Sequence, residues 1–430
     1  MKKISVFYAI YLVCVSLPLI FCSCGEDRTA EYEDQTATTH WMVKSMQDNY
    51  LWGDSIKTQK LGWKDYFLRP SQFLSKLTNM ASVSDSWSWC SIDTIEENHY
   101  QRGQFNYLDS YGIDFTVMTD PTGATSRQFA RVITVYPNSP AERCGLLRGD
   151  FIGSIDGNRF TSSLSSSLIS GPQHLLSVSK LGVNTEDATY LWMSTDTLKI
   201  EKSQQVDDIP FPITNSWIYN NHKISYLFVS HLGNDDVENE TNLSESLRLE
   251  MEKFRTFSPD VFILDLRLCN HGTLELAKRL TSYLSPQGSD FSIFSKIIYG
   301  NNHAEKIILH SIDKTLCLNS IQYLYVITSP YTTGAGEWLI HSLQAMSLAR
   351  PIYTYGRKTA GQNVLLGNIP SDYHVTLHPA VAYVADATGN YDYSEGIQPT
   401  TLIDESNYVD LYPYGDMREI ILSTILQNLP

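Results

Sequence analysis

The sequence predicts an α/β domain with a layered sheet over residues 206–430, preceded by a strand-rich unit over 107–205 and a small helical cap over 38–106. Three observations predict this order. Trp41, Met42, Ser45, Met46 and Asn49 share a helical face, which Phe67, Phe73, Leu74 and Leu77 continue. Between Tyr107 and Gln204 the texture is one of short strands broken by turn residues. From Pro210 onward, apolar runs of strand length alternate with helical patterns, as in an α/β domain. A chain of 430 residues has room for two or three domains of roughly 100–200 residues each. Hydrophobic residues make up 42% and charged residues 18%, which supports a core and excludes a disordered chain or a coiled coil.

Residues 1–23 read as a lipoprotein signal peptide. Lys2 and Lys3 form a basic start, an apolar run extends from Ile4 to Phe21 with Pro18 in it, and Phe21-Cys22-Ser23-Cys24 closes it. A small residue just before a cysteine resembles a bacterial lipoprotein cleavage box, with Cys24 as the lipidated residue. An ordinary secretory signal and a retained span are the alternatives, and the run falls short of the roughly 20 clean apolar residues a span prefers. Gly25-Glu26-Asp27 resembles the acidic tag of surface lipoproteins in some Gram-negative bacteria. The expected placement is therefore the outer membrane, facing the periplasm or the outside, with membrane contact through the lipid on Cys24. Residues 24–37 are polar and read as a flexible tether.

The net charge is −15 with no Lys/Arg-rich run, which argues against a nucleic-acid backbone or a basic patch on anionic lipid as partner. Of the seven cysteines, Cys90, Cys144, Cys269 and Cys317 follow Cys24 at wide spacing. With no C-x-x-C among them they read as small buried thiols, and no metal or cofactor is expected. Trp52, Trp63, Trp87 and Trp89 read as core of the cap.

In the α/β part, Lys223–Val229, Val261–Leu266 and Tyr323–Ile327 read as strands, the last two buried on both faces. Glu245–Phe254, Thr273–Leu284 and Gly336–Leu348 read as helices. In the strand-rich part the strongest signal runs from Val135 to Ile152. Ser139-Pro140-Ala141 opens a short helix with a serine cap and proline in its first turn, and Gly145 ends it. Gly149-Asp150 turns the chain into a strand around Phe151–Ile155, and Asp156-Gly157 makes a hairpin turn.

This run resembles the PDZ domain of bacterial proteases. Such domains bind an extended peptide by adding it as a strand. The resemblance implies a carboxylate-binding turn at Tyr111-Gly112-Ile113-Asp114-Phe115, with the backbone N–H groups of Gly112 to Phe115 meeting a C-terminal carboxylate. The family prefers a small residue where Asp114 stands, and a negative side chain there weakens that expectation.

Residues 38–405 as a whole resemble the carboxyl-terminal processing (tail-specific) peptidases. These are serine proteases with a Ser–Lys dyad and a PDZ domain ahead of a crotonase-like layered sheet. Four segments carry the resemblance. Ile263-Leu264-Asp265-Leu266-Arg267 matches the strand ending in Asp-Leu-Arg. Thr332-Thr333-Gly334-Ala335-Gly336-Glu337 falls where the family has Ser-Ala-Ser-Ala-Ser-Glu. Gly356-Arg357-Lys358-Thr359-Ala360-Gly361-Gln362 falls on its Gly-x-x-Thr-x-Gly-Lys run, and Glu395-Gly396-Ile397-Gln398-Pro399 on its late Glu-Gly-x-x-Pro turn.

The dyad mechanism needs an attacking hydroxyl, a neutral lysine to take its proton, and two backbone N–H groups for the oxyanion. Anchored on Ala335 and Glu337, the nucleophile position is Gly334; anchored on Thr359 and Gly361, the base position is Gln362. Glycine has no side chain to attack with, and an amide does not accept a proton at neutral pH. The oxyanion loop, glycine-rich in the family, is Cys269-Asn270-His271-Gly272, which leaves Gly272 and Ala335 as backbone donors. The expectation is a member that no longer cleaves and that holds an extended peptide or protein C-terminus. The rival reading keeps an active serine-type endopeptidase of non-standard residues, with Thr333 as nucleophile and Lys358 as base. His271, His341, His374 and His378 have no spacing that suggests a metal or a new triad.

Overall fold

The computed structural model describes residues 28–92, 109–207, 209–233, 237–286, 293–300, 306–311, 313–346, 350–408 and 410–430. Cys24 and the signal segment lie outside them. The chain divides into two compact units, one of residues 1–95 with 368–379 and one of 96–367 with 380–430.

In the first unit the helix Thr29–Asn49 begins nine residues before the expected start of the cap, so much of the stretch read as a tether is helical. The physical reason is packing: Thr36 and Thr39 lie buried on the face that carries Met42 and Met46, and their hydroxyls find carbonyl acceptors there. The Thr36 hydroxyl donates to Tyr32 O at 2.7 Å, and the Thr39 hydroxyl to Thr36 O and Tyr66 O, both at 2.9 Å. Both threonines are buried with Met42 and Met46. Short 3₁₀ turns lead to the helix Pro70–Thr78, which buries Phe73, Leu74 and Leu77. The expected all-core tryptophans divide. Trp52, Trp87 and Trp89 are half-buried, whereas Trp63 is 67% exposed on a turn, edge-on to Phe67. The strand Trp89–Ile92 pairs antiparallel with Val375–His378, which pairs in turn with Ile369–Pro370. Residues 368–379 were expected in the α/β domain. They belong to this unit because strand pairing holds them to a segment some 280 residues earlier, which no local pattern reveals.

The second unit holds three sheets, one in the strand-rich part and two in the α/β part, and the two parts have separate cores. The strand-rich part is a sheet in the order Ile113–Thr119, Gln128–Val135, Phe151–Ile155, His174–Val183, Tyr190–Ile200. Its capped helix Pro140–Cys144 has Ser139 Oγ accepting from Glu142 N at 3.1 Å and Gly145 left-handed at its end. Tyr111, Ala130, Val132, Leu146, Ile152 and Phe160 form its core.

The α/β part has a six-stranded sheet in the order Thr401–Leu402, Ile352–Gly356, Tyr323–Thr328, Val261–Asp265, His222–Phe228, Ile213–Tyr219. The first five run parallel and the last pairs antiparallel. One face packs on the helices Val237–Phe257, Leu274–Leu284 and Ala335–Ala345. The other packs on Ile420–Gln427 through Ile421, Leu422 and Ile425. Val261–Asp265 is buried throughout and Tyr323–Thr328 from Leu324 onward, as their unbroken apolar runs require. A second, antiparallel sheet joins Lys306–Ser311, Ile293–Tyr299, Ala380–Ala385 and Val364–Leu366. Parallel strands bring their C-terminal ends to one edge, and the loops after Asp265 and Thr328 meet there.

Candidate functional site

The loop after Thr328 is held by its own polar side chains. Buried Thr332 donates to Leu266 O at 2.8 Å, and Ser329 Oγ donates to Arg267 O at 2.6 Å. Thr333 N–H donates to Cys269 O at 3.0 Å, which ties the loop to Cys269–Gly272. Gly334 then caps the helix Ala335–Ala345 with φ +53° and ψ −116°. Side-chain-bearing residues rarely adopt that conformation. Gly334 lies against the other substituted position. A Cβ built on Gly334 would stand 3.1 Å from Gln362 Oε1. The two positions expected from the sequence to correspond to nucleophile and base, 28 residues apart, are thus neighbours, one a glycine and the other an amide.

What fills the gap is a hydrogen bond. Thr333 Oγ1 donates to Gln362 Oε1 at 2.9 Å, and Trp338 Nε1 donates to Gln362 O at 3.1 Å. The fallback pair does not form. Thr333 has the Gln362 amide as its partner, no hydrogen bond joins it to Lys358 among the described residues, and the Lys358 stem lies near Gly396. The turn that carries Gln362 is fixed by close backbone approach. At Gly361, φ is +100° and a Cβ would lie 2.1 Å from Ser394 O; at Gly396, φ is +88° and a Cβ would lie 2.2 Å from Thr359 O. This accounts physically for the Thr-x-Gly and Glu-Gly spacings.

Glu337 is the hub beneath. Fully buried, it accepts from Thr359 Oγ1 at 2.5 Å, Gly361 N at 2.6 Å and Gln362 N at 2.6 Å. Burial pushes its carboxyl up to about 7, against the pull of these donors. In the sequence Glu337 and Thr359 were alignment anchors only; their direct bond was not legible there.

Of the expected oxyanion donors, Ala335 sits in the first helical turn, whose N–H groups have no partner within the helix. Gly272 is bridged to Leu232, with a Cβ there 2.5 Å from Leu232 Cβ. Next to it the His271 ring stacks on buried His231 at 4.8 Å and reaches Asn270 Oδ1 at 2.6 Å through Nδ1. The Cys269 thiol is fully buried and its pKa is pushed up by burial, so it supplies no thiolate. His341 meets Asn390 O at 2.8 Å, and His378 stacks on Trp89. No metal-ligand cluster exists among the described residues.

A cavity of about 170 Å³ adjoins this loop, between the strand Gln128–Val135 and the ends of the parallel strands; Arg131, Arg267, Ser329, Tyr331 and Arg357 help line it. Behind it lies an ion network that sequence reasoning missed. Arg267 bonds Asp265 at 2.6 Å, Glu419 at 2.8 Å and Glu405 at 2.6 Å. Arg148 reaches Glu405 at 2.8 Å and Tyr412 O at 2.7 Å. Burial pushes the Glu405 carboxyl up, but Arg148 and Arg267 outweigh it and hold it down to about 2. Asp265-Leu266-Arg267 was visible as a motif; Arg148, Glu405 and Glu419 are scattered singly and offered no local signal.

In the strand-rich unit Gly112 is left-handed at φ +81°, and the strand Ile113–Thr119 pairs on one side only, with Gln128–Val135, among the described residues. Tyr111 N–H donates to Ile169 O, Gly112 N–H to Ser110 Oγ, both at 3.0 Å, and Phe115 N–H to Asp114 Oδ1 at 2.8 Å.

Comparison with known proteins agrees with this architecture. The family description of the PDZ domain matches residues 131–174. No curated protein matches the chain by sequence. Among solved structures, a protein of Bacteroides fragilis assigned to the S41 proteases superposes with a TM-score of 0.78 at 24% identity, over 90% of this chain and 96% of that one. The photosystem II D1 C-terminal processing protease superposes with a TM-score of 0.50 at 15% identity, over 91% and 97% of the two chains. At these identities the likeness is one of fold.

Proposed function

We propose that this chain, which has the S41 C-terminal processing protease fold with a PDZ domain, is a tail-specific peptidase homologue that binds an extended peptide or a protein tail without cleaving it. The observation that carries the reading is the pair Gly334 and Gln362. They are set against each other with 3.1 Å between a built Cβ and the amide oxygen, and neither has a nucleophile or a base to offer. A dyad acts as a unit, so the loss of both members removes most of the rate. Binding has a separate support in the one-sided edge strand Ile113–Thr119.

The chain is further proposed to be a lipoprotein of the Gram-negative outer membrane, anchored through Cys24. The Ser23-Cys24 end of the apolar run motivates this.

The test of inactivity is a back-mutation. Purified wild type and the double variant Gly334→Ser/Gln362→Lys are incubated with unfolded substrates carrying apolar C-terminal tails, and fragments are resolved by mass spectrometry. No fragments are expected from wild type. Cleavage by wild type at a rate matching or exceeding the double variant would sink the reading and return attention to Thr333. The Thr333 hydroxyl already donates to a neutral amide, which lacks the basicity to activate it.

A further inference from the structure

We propose that the PDZ domain takes an internal, extended stretch of polypeptide and not a free C-terminus, and that Asp114 makes this choice. The inference rests on the peptide-binding reading above and narrows its ligand class.

A carboxylate-binding turn works by leaving successive backbone N–H groups free to converge on one anion. Here two of the four donors that the turn would offer, the Gly112 and Phe115 N–H groups, are already engaged within the protein, as is the Tyr111 N–H just before them. Tyr111 N–H is bonded to Ile169 O and Gly112 N–H to the Ser110 hydroxyl. Phe115 N–H, at the strand end of the turn, is bonded to the Asp114 carboxylate at 2.8 Å. The protein's own side chain therefore supplies the negative oxygen that a peptide terminus would bring. A second carboxylate arriving there loses the Phe115 donor and meets a like charge, two penalties that reinforce each other.

Strand addition itself is not affected. It needs the open backbone edge of Ile113–Thr119, which pairs on its other side alone with Gln128–Val135 among the described residues. The pairing shifts register between Asp114 and Phe115, so the turn is set off from the ladder that a ligand strand would extend. A backbone that continues past this point puts a neutral peptide group beside Asp114, and a backbone that ends there puts a carboxylate. The edge is compatible with the first and repels the second.

The experiment uses the purified full chain and fluorescein-labelled eight-residue peptides of alternating apolar and polar residues. Each peptide is made once with a free C-terminal carboxylate and once with a carboxamide, and affinities are read by fluorescence anisotropy. Wild type is expected to bind the carboxamide forms at least about tenfold more tightly. Asp114→Ala is expected to raise affinity for the carboxylate forms by about tenfold while changing the carboxamide forms by less than about threefold. That ratio separates a specificity role from a structural one, since a misfolded turn would weaken both forms together. Equal or tighter binding of the carboxylate forms by wild type overturns this proposal alone, as does an unchanged ratio in Asp114→Ala. Failure of both proteins to bind any peptide overturns it together with the peptide-binding reading.

Discussion

Replacing Gly334 by alanine tests whether the frame around this position, proposed above to correspond to the nucleophile, is held as tightly as its geometry implies. At φ +53° and ψ −116° an L-residue is strained, by about 1–3 kcal/mol. The new Cβ would also stand 3.1 Å from Gln362 Oε1. That atom ends a flexible side chain and can retreat, but doing so weakens its 2.9 Å bond from Thr333, worth about 1 kcal/mol. Gly334→Ala is therefore expected to destabilise the α/β domain by about 2–4 kcal/mol. The assay is urea unfolding followed by tryptophan fluorescence, with Trp338 on the helix that Gly334 caps. Repeating it in a Gln362→Ala background isolates the contact: the backbone part should persist and the coupling should stay at or below about 1 kcal/mol. If alanine were neutral or stabilised the chain, as it does by about 0.4–1 kcal/mol where the backbone already suits it, Gly334 would not be held in this conformation. The proposed frame around Gly334 would then not exist.

Two further outcomes are expected. Burial raises Glu337 from 4.5 to about 7, so the folded chain holds a proton there that the unfolded chain releases. Its contribution to stability should therefore fall as pH rises from about 4.5 to 7, by at most about 3 kcal/mol. In Glu337→Gln the fall should be smaller by that amount, and identical pH–stability slopes for the two proteins would refute the assignment. Cys24→Ala should release the protein from the membrane fraction and abolish any mass increment of a lipid, whereas unchanged fractionation and mass would defeat the proposed anchor.

The sequence by itself determined the type and order of the major elements in the second unit, because each rests on a local pattern. The buried runs at Val261–Asp265 and Tyr323–Thr328, the Ser139 cap and the Gly145 stop depend on residues a few positions apart. The expected correspondence of Gly334 and Gln362 to nucleophile and base also came from the sequence, since both fall inside motifs whose flanking residues set the register. Tertiary structure alone decided whatever joins distant segments. It drew residues 368–379 into the unit of the strand Trp89–Ile92, through pairing that alternation does not encode. It extended helix back to Thr29, because a polar run becomes helical when one of its faces finds a surface to pack on, as Thr36 and Thr39 do here. It assembled Arg148, Arg267, Glu405 and Glu419 from separate stretches of chain, where the low dielectric of a buried site makes each charge depend on the others. And it turned Asp114 from an unfavourable substitution into a built-in ligand of the Phe115 amide. Sequence specifies which groups are present and how the chain between them is spaced; only folding decides which of them come within 3 Å of each other, and hydrogen bonding and charge pairing act at that range.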